Sequence, residues 1–414
     1  MRMTSRFVGA ILFGVLIFAA TALTCAQTFQ VIHTFHDADG ATPLAGLTLD
    51  AAGNLYGTTV HGGNNELGVV FKLSRSGSSW VITPLYKFTG GSDGYNPASR
   101  VILGPDGPLY GSAYEGGAGG WGTVFRLQPS PTRPRTALNT WNETTLYAFQ
   151  GGGDGAIPWF DLVFRPGGSI YGTTTEGGQG SCGGNGCGTV YQLTGSGNNW
   201  TRNLLYAFAG DDDGGFPQGI IFDSAGNIFG TTDIGGGPAN HGTVFELSPS
   251  GSGWTENIIY RFQAGDDGSN PLSGLIMDSA ANLYGSSTCA GQNGGGAIFE
   301  LTPFNGNWTL NVLYSLTGIC NSGPRGELLM DGTGNLYGTT YTGGIFSFGS
   351  VFKLSPGDGG WTYTSLHDFT GGSDGAMPEG RLIFDSNGNL YGTASQGGTG
   401  CSSLGCGVVF EITP

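Results

Sequence analysis

Seven in-register copies of one motif, a glycine content near a fifth and two complementary chain ends predict an all-β protein. The expected fold is a seven-bladed β-propeller with four antiparallel strands per blade. An aromatic-glycine pair recurs at Tyr56-Gly57, Tyr110-Gly111, Tyr171-Gly172, Phe229-Gly230, Tyr284-Gly285, Tyr337-Gly338 and Tyr391-Gly392, at intervals of 54, 61, 58, 55, 53 and 54 residues. Each pair is followed by a VFKL-like run, the first ending at Leu73 and the last at Ile412. Glycine supplies 81 of the 414 residues, without the every-third-residue period of a triple helix. Glycine at that density excludes helical bundles, while 38% apolar and 12% aromatic residues exceed what a disordered chain carries.

The elements follow in chain order. Arg2 and Arg6 precede an uncharged apolar run at 7–23 and the small residues Thr24 and Ala26, the pattern of a secretory signal peptide over 1–26. The alternative at this end is lipidation of Cys25. Residues 27–414 then form a single propeller domain with no transmembrane span. Without the leader, 13 basic residues face 30 acidic ones, a net charge of −17 that repels nucleic acid and anionic membranes. The expected product is an exported monomer, at the cell surface, outside the cell or in the periplasm.

Within each repeat, four short apolar runs have strand length; in the fourth they cover 219–223, 227–232, 242–247 and 254–262, here named strands a to d. A DxxGN sequence between a and b marks a tight turn, as at Asp223 to Asn227. The last repeat stops after its strand c, and residues 29–35 match the d pattern with no a, b or c before them. The ring is therefore expected to close by pairing 29–35 with 408–412, which removes both open edges.

The recurring run GNLYGTT…GG…GTVFKL…W…LYxF…DGxxP resembles the GloVer (Gloeobacter/Verrucomicrobium-type) tandem repeat of exported choice-of-anchor proteins, over about residues 29 to 414. More loosely, DxxGNLY is similar to NHL-type and streptogramin-lyase-type blades. The resemblance implies export and no established biochemical activity.

Strand connectivity places the b–c and d–a loops on one face and the a–b and c–d turns on the other. The d–a loops carry DGxxP with Asp39, Asp93, Asp154, Asp213, Asp267 and Asp374, whereas the sixth repeat reads Asn321-Ser-Gly-Pro324. These aspartates cap their own turns or, alternatively, offer carboxylates to Ca2+ or another divalent cation. No cofactor is otherwise indicated. Positions where the repeats disagree are better sources of specific chemistry. Before the Gly-Gly of the b–c loops stand His61, Glu115, Glu176 and Gln396, with Tyr114 and Tyr341 beside that slot. Before the glycine that opens strand c stand Trp121, His241 and Phe348. Aromatic planes among polar groups suit glycan or peptide binding, giving Tyr114, Trp121, His241, Tyr341, Phe348 and Gln396 as ligand-binding candidates. A rival reading makes the protein a metal-assisted lyase or hydrolase centred on His61, Glu115 and Glu176. Zinc-protease, nucleophile-elbow and phosphate-loop signatures are absent from the sequence. The third and seventh b–c loops are the longest and hold Cys182/Cys187 and Cys401/Cys406, each expected to pair within its loop. Cys289 and Cys320, on neighbouring loops of one face, complete three disulfides. The function these features indicate is a non-catalytic binding or scaffold protein presenting a loop face to a glycan, a peptide or an envelope protein at the cell surface.

Overall fold

The computed structural model describes residues 27–105, 107–130, 141–251, 253–401 and 404–413; the expected leader with Cys25 lies outside the described residues. Seven four-stranded antiparallel sheets form the blades. Blade 1 contains Thr48–Leu49, Leu55–Thr59, Val69–Ser76 and Ser79–Lys87 as strands a to d. Blade 7 contains Ile383–Phe384, Leu390–Ala394 and Val408–Thr413, completed by the N-terminal strand Thr28–Thr34. Phe29 pairs with Ile412 and Thr34 with Val408, so the ring closes as predicted, with one irregularity between Val31 and His33. No helix among the described residues is long and apolar enough to cross a membrane.

Strand a is shorter than predicted. In blade 1 it reduces to two pairs, Thr48 with Tyr56 and Leu49 with Leu55. The residues before it leave the ladder to line the axis, and Asp50 after it starts the turn. Blade 4 differs, because its strand a runs from Gly215 to Phe222. The turn chemistry explains two motif positions at once. Asp50 accepts bonds from the Ala52 and Asn54 amides, the Asn54 side chain and the Tyr56 hydroxyl. Burial opposes ionisation of Asp50, but these donors outweigh it and hold the carboxyl below its usual range. Asp278, Asp331 and Asp385 repeat the arrangement with Tyr284, Tyr337 and Tyr391.

Packing accounts for the glycine of the aromatic-glycine pair. A Cβ on Gly57 would lie 2.6 Å from Cζ of Phe71, and one on Gly392 would lie 2.5 Å from Cζ of Phe410. The phenylalanine of the VFKL run thus crosses directly over strand b, where no side chain fits. A second close approach joins neighbouring blades: Cβ positions on Gly68 and Gly407 would each lie 2.5 Å from Cδ of Pro97 and Pro43, respectively. The Gly407–Pro43 contact links blade 7 to blade 1. The hydrophobic clusters straddle the same seams, as where Phe35, Leu47, Phe71, Tyr391 and Val409 pack together. Trp80 of blade 1 meets Tyr391 edge-on at 5.9 Å, and Arg75 bonds Glu411 at 2.7 Å.

The predicted disulfides are formed: Cys182–Cys187, Cys289–Cys320 and Cys401–Cys406. One blade carries an internal cost. Tyr191 occupies the slot that is phenylalanine in the other six, and its hydroxyl is buried with no hydrogen-bond partner among the described residues. Tyr191→Phe should therefore stabilise the protein by about 1–2 kcal/mol. Chemical denaturation of the two forms is the measurement, and a destabilised variant would show that the hydroxyl is satisfied.

Candidate axial binding site

The residues just after each DGxxP proline run toward the seven-fold axis as strand a begins. They enclose a cavity of about 200 Å³ to which every blade contributes, among them Leu44, Ala98, Trp159, Gln218, Leu272, Arg325 and Glu379. Three ion pairs span adjacent blades around it. Arg100 Nε donates to Asp161 at 2.8 Å, Arg381 to Glu327 at 2.8 Å and Arg325 to Glu379 at 3.0 Å. Glycines make room for the longer arms: a Cβ on Gly274 would lie 2.5 Å from Oε1 of Glu327. Burial raises the pKa of Glu327 against the opposing pull of Arg381, and burial likewise raises that of Glu379 against Arg325. Burial also works against the charge of Arg100, but Asp161 outweighs it and raises its pKa.

Aromatic rings border this cavity. Trp159 packs on Tyr114 with centroids 4.5 Å apart, and the Arg325 guanidinium lies 3.5 Å from the Tyr341 centroid. Two buried polar atoms of lining residues, Gln218 Oε1 and Arg325 Nε, have no partner among the described residues. The site offers donors, acceptors and an apolar wall.

The structure separates the residues singled out from sequence. Tyr114 and Tyr341 reach the axial cavity through Trp159 and Arg325. Trp121 and Phe348 instead sit over the following d–a loop, their rings within 2.8 Å of where Cβ atoms on Gly151 and Gly371 would lie. Trp121 also borders a second, glycine-lined depression of about 320 Å³ with Asn185. His241 accepts from the Asn270 amide through its backbone carbonyl, and Gln396 forms a backbone bridge with Ala376. His61, Glu115 and Glu176 each bridge their own d–a loop, at Ala41, Tyr95 and Ala156. His61 contacts Thr42, and Glu115 accepts from Asn96. Glu176 Oε2 is buried without a partner among the described residues. Among the described residues, the group of three metal-ligating side chains within 4.8 Å of one another is Asp37 with Cys401 and Cys406, not these three. Both of those cysteines are in a disulfide.

The DGxxP aspartates hold their own loops. Asp93 accepts from the Tyr86 hydroxyl, the Thr89 amide and hydroxyl, and the Gly91 amide. Asp154, Asp213 and Asp267 take the hydroxyls of Tyr147, Tyr206 and Tyr260 in the same way. His367 replaces tyrosine at Asp374, and His33 does so at Asp39. The tyrosine or histidine is the second residue of the LYxF run, so two recurrent motifs form one staple. In the sixth repeat the staple is absent; Tyr314 stacks on Tyr363, and Cys320 is tied to Cys289.

A family model described as the Gloeobacter/Verrucomicrobia repeat matches residues 16–184 and 180–410. The chain belongs to the Gloeobacter/Verrucomicrobia repeat family. No curated protein matches it. Among solved structures, the repeat-family chain is similar to the extracellular domain of a candidate one-component system from B. thetaiotaomicron, at 10% identity and a TM-score of 0.54. That alignment covers 92% of this chain and 40% of the other, so the chain spans two fifths of that protein's length. A candidate 6-phosphogluconolactonase from Bacteroides uniformis aligns at 16% identity and a TM-score of 0.51, over 87% of this chain and 98% of its own. Likeness at these identities shows the fold alone.

Two staples of this Gloeobacter/Verrucomicrobia-repeat propeller face a second carboxylate. Burial pushes Glu143 up to about 7, with Asp93 adding repulsion and Thr145 opposing. Burial also pushes Glu256 up to about 7, with Asp213 adding repulsion and Arg261 opposing. A raised folded-state pKa means that the fold holds the proton more tightly than the unfolded chain. The associated stability is present at pH 4.5 and below, and is lost as pH rises toward 7. Glu143→Gln with Glu256→Gln should therefore lose less stability than the parent between pH 5 and pH 8. For Glu143, the difference is on the order of 1–2 kcal/mol after solvent screening. Melting at both pH values tests this, and identical pH dependence of the two proteins would contradict it.

Proposed function

We propose that the protein is an exported, non-catalytic binding protein whose b–c/d–a face receives a glycan, a peptide or a cell-surface partner, with the axial cavity as the ligand seat. The observation that carries this reading is the cavity itself: all seven blades contribute to it, and its lining varies from blade to blade while the scaffold repeats. The distribution of apolar surface supports the same face. Of ten large exposed apolar residues among the described ones, Trp121, Ile319, Ile345, Phe346, Phe348 and Leu404 lie on its loops, whereas the opposite face has Phe304. The other three, Val81, Leu204 and Val312, are on outermost strands. Three disulfides fit an oxidising compartment, and a fold neighbour is an extracellular domain.

Hydrogen exchange of the purified protein, alone and with either a soluble glycan library or a random dodecapeptide library, tests this. Protection is expected in the b–c and d–a loops, centred on residues 325–327 and 379–381, with no cleavage of the probes. Protection confined to the opposite turns, such as residues 76–79, or turnover of a probe would overturn the reading.

A further inference from the structure

We propose that the axial cavity binds one neutral sugar ring. This rests on the reading that the cavity is the ligand seat, and four features of its lining define the class. The first is size. At about 200 Å³ the cavity falls below the ~300–1,000 Å³ of sites for drug-sized molecules, which suits a single ring rather than a length of peptide.

The second feature is charge. Arg100, Arg325 and Arg381 are each neutralised by a carboxylate from an adjacent blade, Asp161, Glu379 and Glu327. An anionic ligand finds no uncompensated cation there, and a cationic ligand finds no uncompensated carboxylate. Separating a buried pair to bind a charged group would leave its partner stranded, a cost that a neutral ligand avoids.

The third feature is hydrogen bonding. Gln218 is only 3% exposed, and its amide is anchored by Nε2 donating to the Phe216 carbonyl at 2.7 Å. That bond leaves Oε1 as a buried acceptor without a partner, while Arg325 Nε is a buried donor without one. Both atoms are shielded even from a water-sized group, so the polar atoms left for a ligand are those of the ion pairs, and the hydroxyl is the neutral group that can both donate to a carboxylate and accept from a guanidinium. The carboxylates and guanidiniums of the ion pairs add charge-assisted bonds for neighbouring hydroxyls.

The fourth feature is the apolar wall. Trp159 is held by its packing on Tyr114, with Leu44 and Leu272 on the same lining. A hydroxyl-rich ring with one apolar C–H face matches an aromatic plane bordered by polar groups.

Calorimetric titration of the full protein with a panel of neutral methyl hexosides and methyl N-acetylhexosaminides tests the proposal, with gluconate and dialanine as charged probes. At least one neutral glycoside should bind in the millimolar range or tighter, as expected for about twelve heavy atoms at ~0.3 kcal/mol each. Trp159→Ala should weaken that binding at least tenfold. Trp159→Phe should retain most of it and report on folding of the altered site. Trp121→Ala, on the same face but outside the cavity, should change it less than twofold. Binding of dialanine or gluconate but no neutral glycoside would overturn the sugar assignment and leave the axial seat standing. Glycoside binding abolished by Trp121→Ala but not by Trp159→Ala would overturn the location. Binding of no probe, with none of the exchange protection described above, would remove both.

Discussion

Closure of the ring is the constraint on which the rest of the structure depends. A propeller blade cannot bury both of its faces alone, so each seam needs a neighbour, and the last seam needs the first blade. Here the closing blade is shared between the chain ends, through the ladder from Thr28 against Thr413 to Thr34 against Val408. The Gly407–Pro43 approach, the counterpart of Gly68–Pro97 at the next seam, and the Arg75–Glu411 pair then lock blade 7 to blade 1. The axial cavity exists only because all seven strand-a segments are held at one radius. Its three ion pairs cross between blades 2 and 3 and twice between blades 6 and 7, so their geometry is a direct consequence of closure.

Much of this was legible because the chain repeats. The aromatic-glycine pair, the DxxGN turn, the strand-c glycine and the DGxxP proline each mark a slot, and each slot has one contact that explains its residue type. Gly57 admits Phe71, Asp50 collects Asn54 and Tyr56, and Gly68 abuts Pro97. The three disulfides were legible as well, since two lie in the longest loops and the third joins loops of one face. What sequence reading missed is that the LYxF tyrosine and the DGxxP aspartate are two halves of a single staple. The signal was present in blade 6, where the aspartate is lost and Tyr314 finds Tyr363 instead.

The candidate site was only half legible. Looking where the repeats disagree is sound, because a sevenfold scaffold leaves specific chemistry to its variable positions. Applied to the b–c loops, it selected His61, Glu115, Glu176 and Trp121, none of which lines the axial cavity. The three residues after the repeat proline vary just as much, from Leu44-Ala-Gly to Trp159-Phe-Asp, Arg325-Gly-Glu and Glu379-Gly-Arg. In a chain with only 11% charged residues, arginines and carboxylates concentrated in that slot were the available signal. It stayed hidden because strand a was read as a continuous apolar run, whereas its first residues bend into the axis. Tyr114 and Tyr341 were found for their aromaticity, but their partners Trp159 and Arg325 were not.

The most direct measurement of the closed-ring account is the unfolding of a form that starts at Asp37 and so lacks the closing strand. Without Thr28–Thr34, strand Val408–Thr413 loses its outer ladder, blade 7 loses the packing of Phe29, Val31 and Ile32, and the axial pairs lose their frame. The account predicts loss of the single cooperative melt together with fast amide exchange along 408–413. A truncated form that melts at the same temperature as the parent, with those amides still protected, would contradict it.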